Sequence, residues 1–231
     1  MVPDSPNTSC KEGCEEILVV APPPAAVAPS RSNRATILVV DSADINRQLL
    51  KGMLKACPYR IVEARTPEEG LNCLAETPAD LIIADLMMPG IGGLEFCRFV
   101  KRNRKTRLIP LLIMTNVQGV ENEIAGLESG ADEFLIRPLH PTAVRTRVQA
   151  MLRNKKAIDS LEEAETILFS LAQTVEARDE ETGNHCQRIA SLSVALGTAL
   201  GLPEEDLTAL YRGGYLHDIG KIAVPDAILN K

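Results

Sequence analysis

Five short apolar runs, alternating with helix-like segments, constrain the fold of this chain more than any other feature. The runs read TILVVD, RIVE, DLIIAD, IPLLIMT and EFLI, and the first begins at Thr36. Three of them are nearly continuous in Val, Ile and Leu, which is typical of parallel strands with helices on both faces. Amphipathic stretches alternate with them, near 44–56, 67–75, 93–102 and 119–129. The pattern predicts an α/β domain over residues 35–150 with a five-stranded parallel, doubly wound sheet.

The sequence outside this domain differs in composition. Residues 1–34 hold six of the 15 prolines, which predicts a disordered leader. From Pro141 to about Ala177, apolar residues recur at spacings of three and four, which predicts one long helix or two in line. We expect its first part to pack on the sheet, residues 151–176 to form a helical linker, and residues 167–231 to form a partial all-α module.

The predicted linker carries one apolar stripe. Its members are Ile158, Leu161, Ala164, Leu168, Leu171 and Val175. An exposed stripe of this length is a solubility liability in a monomer, so we expect a homodimer in which two stripes pack together. The alternative is that the C-terminal module folds back and covers the stripe within one chain.

Composition and charge argue against several classes of function. The net charge is −6, with 25 Lys and Arg against 31 Asp and Glu, and Trp is absent. DNA is therefore not an expected partner, and no recognition-helix motif follows the linker. No apolar run approaches the roughly 18 residues that span a bilayer, and the acidic N-terminus is unlike a secretory signal. Together with six cysteines that form no CxxC pair, these features predict a cytoplasmic protein with reduced thiols and no membrane contact.

Polar side chains follow four of the five predicted strands. They are Asp41, Asp85, Thr115 and Arg137. A single Asp often caps the next helix, but the carboxyl ends of parallel strands meet at one edge of the sheet, where ligands bind. The set suits phosphoryl transfer to an aspartate, with Asp85 as the phosphoacceptor and Asp41 and Asp85 as Mg²⁺ ligands. Thr115 would donate its hydroxyl to a phosphoryl oxygen, and Arg137 would supply positive charge.

Residues 36–150 resemble a response-regulator receiver domain. The strings ILVVD, DLIIADLMMPGIGG, IPLLIMT and GADEFLIRP occur in the order of that family and carry the resemblance. The resemblance implies a flavodoxin-like fold, a Mg²⁺ site, and phosphorylation of Asp85 by a cognate sensor histidine kinase. Phe134 matches the aromatic switch position of the family, although a core aromatic on an edge strand is an equally good interpretation.

The chain departs from the receiver pattern at two positions. Ser42 stands where a second acidic residue usually follows Asp41, so a metal site loses one charged ligand there. Asp44 would restore part of that charge, unless it only favours the helix N-terminus. Arg137 stands where the family has Lys, and a planar guanidinium on a longer stem is not an equivalent group. We therefore expect slower phosphorylation and a weaker Mg²⁺ site.

A second group of chemically capable residues lies near the C-terminus. His217 and Asp218 are adjacent, and His185 lies one helix earlier, whereas His140 is assigned to a loop. A lone histidine is more often a core residue, but mixed imidazole and carboxylate ligands on packed helices suit Mn, Fe, Zn or Ni. Such a metal activates water for phosphodiester hydrolysis. Lys221, one turn after Asp218, would reach a substrate phosphate.

The segment 167–231 resembles the start of an HD-GYP domain, a metal-dependent HD phosphohydrolase that cleaves cyclic di-GMP. The strings HDIGKI and PDAIL are specific, whereas EARD alone is weak. The resemblance implies that His185, His217 and Asp218 are metal ligands, for Fe, Mn or another divalent ion. Glu181 matches a further ligand position of members with a third metal, or it is a carboxylate at a helix end.

The downstream motif of that family, with its further His and Asp ligands, does not occur in this sequence. We therefore expect an incomplete metal site, and no appreciable hydrolysis of cyclic di-GMP by this chain alone. The leading hypothesis is a two-component response regulator whose output, in the complete protein, is a cyclic di-GMP phosphodiesterase. The alternative is a non-catalytic signalling adaptor with a degenerate receiver and a remnant HD module.

Overall fold

The chain forms two compact units, and the division falls between Glu163 and Ala164. The computed structural model describes residues 34–116, 120–177 and 184–229. The predicted leader, residues 1–34, therefore lies outside the described residues apart from its last residue. Each unit has a hydrophobic core of its own.

The first unit is a five-stranded parallel sheet with helices between the strands. The strands are β1 (Thr36–Val40), β2 (Arg60–Ala64), β3 (Leu81–Asp85), β4 (Leu111–Thr115) and β5 (Glu133–Ile136). The helices are α1 (Asp44–Leu54), α2 (Pro67–Glu76), α3 (Gly92–Arg102), α4 (Val120–Glu128) and the start of α5 (Pro141–Glu176). The strand order β2-β1-β3-β4-β5 confirms the predicted doubly wound, flavodoxin-like topology.

Two hydrophobic cores cover the two faces of this sheet. Strands β1, β3 and β4 are buried along their whole length, which explains their nearly continuous apolar sequences. Leu38 of β1 packs in the core formed with α2 and α3, and its neighbour Ile37 packs in the core formed with α1 and α5. Val144 and Val148 belong to the second of these cores. The first part of α5 therefore packs on the sheet, as predicted.

Helix α5 runs without interruption for 36 residues. Four members of the predicted stripe are 40–71% exposed, namely Ile158, Leu161, Leu168 and Leu171. Val175, in contrast, is only 4% exposed. The expectation of one continuous exposed stripe is therefore wrong at its C-terminal end, where the burial of Val175 agrees with the alternative of a stripe covered within one chain.

The second unit is helical, as predicted. It contains the end of α5, α6 (His185–Ala199), α7 (Glu204–Leu216), a 3₁₀ helix (Ile219–Ala223) and the short α8 (Asp226–Leu229). Phe169 of α5 stacks on Tyr215 of α7 with ring centroids 4.5 Å apart, and Cys186 and Ala190 complete the core. Among the described residues, no helix is both long enough and apolar enough to cross a membrane.

Gly93 permits a close approach of α3 to the end of β3. A Cβ at this position would lie 2.3 Å from the backbone oxygen of Asp85 and 2.9 Å from Cα of Leu86. These are backbone atoms, which cannot rotate out of the way as a side chain can. The glycine therefore fixes the start of α3 against the strand end that carries Asp85.

We predict that Gly93→Ala destabilises the first unit by about 2 kcal/mol, because the added methyl group forces α3 away from β3. The control is Gly52→Ala in α1, where no atom lies within 4 Å of the added Cβ. At that position, alanine stabilises the helix by about 0.5–1 kcal/mol relative to glycine. Urea unfolding followed by circular dichroism gives both free energies. Equal stability of Gly93→Ala and the wild type would contradict the close packing.

Candidate functional site

The carboxyl ends of neighbouring strands bring four predicted site residues to one edge of the sheet. Asp41 directly follows β1, Asp85 ends β3, Thr115 ends β4, and Arg137 directly follows β5. These four strands are successive neighbours in the sheet, so their ends lie side by side. The backbone N–H of Arg137 also donates to the backbone oxygen of Thr115 at 2.8 Å.

The Arg137 guanidinium bridges the two aspartates. Its Nη2 lies 2.9 Å from Oδ2 of Asp41 and 3.5 Å from Oδ1 of Asp85. Both aspartates are buried, and buried carboxylates require a counter charge nearby. The Nε of Arg137 is buried and has no hydrogen-bond partner among the described residues. The guanidinium therefore balances both carboxylates.

The remaining carboxylate oxygens of the pair are held by N–H donors. Oδ1 of Asp41 accepts from the backbone N–H of Ala43 at 2.8 Å and from Nδ2 of Asn46 at 3.1 Å. Oδ2 of Asp85 accepts from the backbone N–H of Met87 at 3.1 Å. Together with the bridging guanidinium, these bonds fix the orientation of both carboxylates.

A buried arginine, Arg47 of α1, supports Asp41 and is absent from the predicted site. Its Nη1 donates to the backbone oxygen of Asp41 at 2.6 Å, and its Nη2 pairs with Asp44 at 2.6 Å. Asp44 is thus engaged by Arg47 in this structure. Arg47 shares the buried face of α1 with Leu50 and Leu54. Arg47 therefore stands at a helix position where the spacing of Leu50 and Leu54 predicts an apolar residue. A charged residue at such a position was the sequence signal that could have identified it.

Burial raises the pKa of the Asp85 carboxyl, and the neighbouring Asp41 raises it further. Arg137 opposes these effects in part by favouring the ionised form. A carboxylate with a raised pKa is more basic than an exposed one. Asp85 therefore has the electrostatic character of a nucleophile held in a poorly solvated site.

Three further sequence assignments have clear places in the structure. Ser42 is exposed directly after Asp41 and contributes no charge. Phe134 is buried in the core on the α2–α3 side of the sheet, which favours the core interpretation of this residue. His140 is exposed in the loop before α5, as predicted.

The three predicted C-terminal ligands also lie together. One ligand atom from each of His185, His217 and Asp218 lies within 4.8 Å of the other two, and the two imidazole rings have centroids 5.4 Å apart. Nδ1 of His217 lies 2.8 Å from the backbone oxygen of Gly214. Since only a protonated Nδ1 can donate to a carbonyl, we assign the proton there, which leaves Nε2 as the ligand atom. Two imidazoles and one carboxylate fit a divalent transition-metal ion.

Lys221 lies beside the aspartate of this cluster. Its Nζ is 2.7 Å from Oδ2 of Asp218. The hydrogen bond from Lys221 lowers the pKa of Asp218, and the charges of His217 and His185 lower it further. Asp218 is thereby kept in the ionised form that binds a cation. Glu181, the fourth predicted ligand, lies outside the described residues.

Sequence reasoning missed Glu176, the last residue of α5. Its carboxylate is buried and accepts hydrogen bonds from the backbone N–H groups of His185 and Cys186. The partners are nine and ten residues away along the chain. No helical or strand periodicity links positions that far apart, and the sequence signal was only a Glu in an apolar stretch.

Two family models match this chain. The response regulator receiver domain matches residues 37–149. The HD domain matches residues 182–231.

Curated relatives are similar to this chain over most of its length. A Vibrio cholerae protein named "probable cyclic di-GMP phosphodiesterase" is 31% identical over 86% of this chain and 51% of its own length. The cyclic di-GMP phosphodiesterase response regulator RpfG of Xanthomonas campestris pv. campestris is 30% identical over 84% of this chain and 57% of its own length. The chain thus spans about half the length of the curated relatives it matches.

Solved structures resemble the first unit. The signal receiver domain of a signal transduction histidine kinase from Syntrophus aciditrophicus is 29% identical and superposes with a TM-score of 0.50. The superposition covers 52% of this chain and 91% of that domain. The similarity supports the receiver fold over the region that carries Asp85.

We predict that Asp85→Asn stabilises the first unit at pH 7 by about 1 kcal/mol. Because the folded state raises the pKa of Asp85 above the ordinary 3.8, the folded state binds the proton more tightly than the unfolded chain. The ionised carboxylate therefore costs stability at neutral pH. This cost decreases as the pH falls through the folded pKa, and it vanishes below 3.8, where both states are protonated.

Urea unfolding at pH 7 and pH 3 measures this effect. The matched control is Asp44→Asn, which removes an exposed carboxylate paired with Arg47 and should give no gain at pH 7. A lower stability of Asp85→Asn than of the wild type at pH 7 would contradict the assignment of Asp85 as a poorly solvated charge.

Proposed function

Because this chain belongs to the response-regulator family, with a receiver domain followed by an HD domain, we propose that Asp85 is its phosphoacceptor. One observation carries the proposal. The Asp85 carboxylate is buried at the carboxyl end of β3, 3.5 Å from a guanidinium that also holds Asp41. A carboxylate in this position is fixed in orientation, more basic than usual, and adjacent to positive charge.

The transfer reaction needs few groups. One carboxylate oxygen of Asp85 forms a bond to phosphorus while the bond from phosphorus to the donor breaks, and the donor leaves with the electron pair. Arg137, whose Nη2 lies beside Asp85, neutralises charge on the phosphoryl oxygens. Thr115, at the end of β4, donates its hydroxyl to one of these oxygens. A sensor histidine kinase is the natural donor for such a domain, and it is the partner we propose.

Acetyl phosphate labelling tests the phosphoacceptor. The wild type should gain one phosphoryl group per chain in intact-mass measurements, and Asp85→Asn should gain none. Asp80→Asn is the control, since Asp80 lies before β3, at the other end of that strand, and its loss should leave labelling unchanged. Equal labelling of Asp85→Asn and the wild type would reject Asp85.

Receiver and HD domains bind divalent metal ions, and we propose Mg²⁺ for the first unit. The two carboxylates are the right donors for this hard cation. Their oxygens, however, already accept hydrogen bonds from N–H groups or face Arg137. Ser42 adds no further charge. The carboxylate oxygens are therefore the type of ligand that Mg²⁺ prefers. We expect weak binding, because the cation competes with the guanidinium for them.

We predict that Arg137→Gln and Ser42→Asp each strengthen Mg²⁺ binding by about tenfold, which corresponds to about 1.4 kcal/mol. The first change removes the competing cation, and the second adds a carboxylate. Arg98→Gln is the control, because Arg98 pairs with Glu95 on the surface of α3. Isothermal titration calorimetry with Mg²⁺ measures the dissociation constants. Unchanged affinity in both variants would contradict competition between Arg137 and Mg²⁺.

For the second unit, we propose the role of a cyclic di-GMP phosphodiesterase module of the whole protein. Relatives named as such enzymes align over both units, and their names do not favour the alternative of a non-catalytic adaptor. His185, His217 and Asp218 would hold a divalent ion such as Fe or Mn, which supplies Lewis-acid activation of water. Lys221, which pairs with Asp218 beside these ligands, would supply positive charge toward a phosphate of the substrate.

A cytoplasmic location is part of this proposal. The four described cysteines, Cys57, Cys73, Cys97 and Cys186, are free thiols. Burial, assisted by Glu176, raises the pKa of the Cys186 thiol to about 11, so this thiol stays protonated and unreactive. Free thiols of this kind are typical of a reducing compartment.

We also propose a homodimer through α5. The exposed part of its stripe comprises Ile158, Leu161, Leu168 and Leu171, and these residues recur at spacings of three, seven and three, as in a helix–helix seam. A second copy of the same helix offers a complementary surface. The four residues would then be buried between two chains.

We predict that the wild type sediments as a dimer at tens of micromolar, and that Leu161→Asp with Leu168→Asp gives a monomer whose receiver remains folded. An unpaired charge buried in a closely packed apolar seam costs several kcal/mol. Since about 1.4 kcal/mol already weakens association tenfold, the dimer should dissociate. Leu192→Asp with Leu196→Asp is the control, since both are exposed on α6. A monomeric wild type would rule out the dimer.

A further inference from the structure

Helix α6 begins without a side-chain cap of its own. Its N-cap residue, Asn184, has a left-handed backbone with φ 83°, and its side chain makes no capping hydrogen bond. The first N–H groups of a helix have no partner within the helix and must find one elsewhere. In this structure, the first two residues of α6 find it in the carboxylate of Glu176.

Both carboxylate oxygens of Glu176 take part in this contact. Oε1 of Glu176 accepts from the backbone N–H of His185, and Oε2 accepts from the backbone N–H of Cys186 at 3.2 Å. Glu176 is 8% exposed and Cys186 is 1% exposed, so the contact is largely shielded from water. Charge-assisted hydrogen bonds are stronger than neutral ones, and shielding strengthens them further.

Helix α5 itself gives no electrostatic reason for a carboxylate at the position of Glu176. It is the last residue of α5, and the C-terminal end of a helix disfavours negative charge. The N-terminal end of α6, in contrast, favours it. The carboxylate is thus placed for α6, and specifically for the turn that carries His185.

We propose that Glu176 is a positioning residue that sets the orientation of His185 relative to His217 and Asp218. This inference rests on the proposed role of His185, His217 and Asp218 as ligands. By holding two successive N–H groups of α6, Glu176 fixes the first turn of that helix. The His185 imidazole is then directed to within ligand distance of His217 and Asp218 before a cation binds. Fixed ligands bind more tightly than ligands that must first be ordered.

The test is Mn²⁺ affinity of the full chain, measured by isothermal titration calorimetry for the wild type, Glu176→Gln and His185→Ala. A glutamine keeps the size of the side chain but presents one acceptor and one NH₂ group to the two N–H groups. Losses of supporting contacts around metal ligands typically cost about 10–100-fold in affinity. We expect a loss of at least about tenfold for Glu176→Gln, and a larger loss for His185→Ala.

Two control variants separate positioning from general stability and charge. Gly197→Ala, at the other end of α6, places a Cβ 2.8 Å from side-chain atoms of Leu207 and Leu210. The added methyl group perturbs the packing of α6 against Leu207 and Leu210 and lies away from the turn of His185, and the unfolding temperature of this variant is measured alongside. Glu165→Gln removes another α5 carboxylate, whose partner is Arg212 of α7. Both controls should keep the Mn²⁺ affinity of the wild type, even if they unfold at the same temperature as Glu176→Gln.

The outcomes distinguish the inference from the proposed function. If His185→Ala weakens Mn²⁺ binding and Glu176→Gln stays within twofold of the wild type, the positioning role is wrong and the cation site stands. If His185→Ala also binds as the wild type does, the cation site is wrong, and the positioning role is wrong with it. A loss in Glu176→Gln that Gly197→Ala shares would likewise overturn the inference, because general destabilisation would then explain both.

Discussion

The ion pair of Arg137 with Asp41 and Asp85 is the interaction on which the receiver site depends. Two carboxylates buried at adjacent strand ends repel each other and lose hydration, so they are tolerated only beside a positive charge. The guanidinium after β5 supplies that charge to both at once. The parallel sheet makes this possible, because it brings the ends of β1, β3 and β5 to one edge although the three residues lie far apart in the chain.

The burial of the Asp85 carboxylate affects both the folding free energy of this domain and the reactivity of that carboxylate. Asp85 remains poorly solvated with a raised pKa, which costs folding free energy and makes its carboxylate a better nucleophile. Arg137 reduces the cost, and in the proposed Mg²⁺ site it would compete with the cation for the same two carboxylates. In the described structure, the charges of Asp41 and Asp85 are thus compensated by a side chain of the protein itself.

The sequence was sufficient to predict the sheet and both clusters, because each rests on a local pattern. Apolar runs ended by Asp41, Asp85 and Thr115 marked the strands and the edge where they meet, and adjacent His217 and Asp218 marked the second cluster. Arg47 and Glu176 were missed because their partners are set by packing. The covered end of α5 at Val175 agrees with the alternative in which the stripe is covered within one chain. The sequence left both arrangements open, since helical spacing shows which residues share a face and not which neighbour covers them.

Asp85 is a poorly solvated carboxylate whose ionised form is favoured by Arg137, and a titration of its carboxyl carbon by ¹³C NMR measures both effects. In the wild type, the resonance of Asp85 should titrate above the ordinary 3.8 of an aspartate. In Arg137→Gln the midpoint should rise further, since the guanidinium favours the ionised form. A wild-type midpoint at or below 3.8, or a midpoint that does not move in Arg137→Gln, would contradict the account.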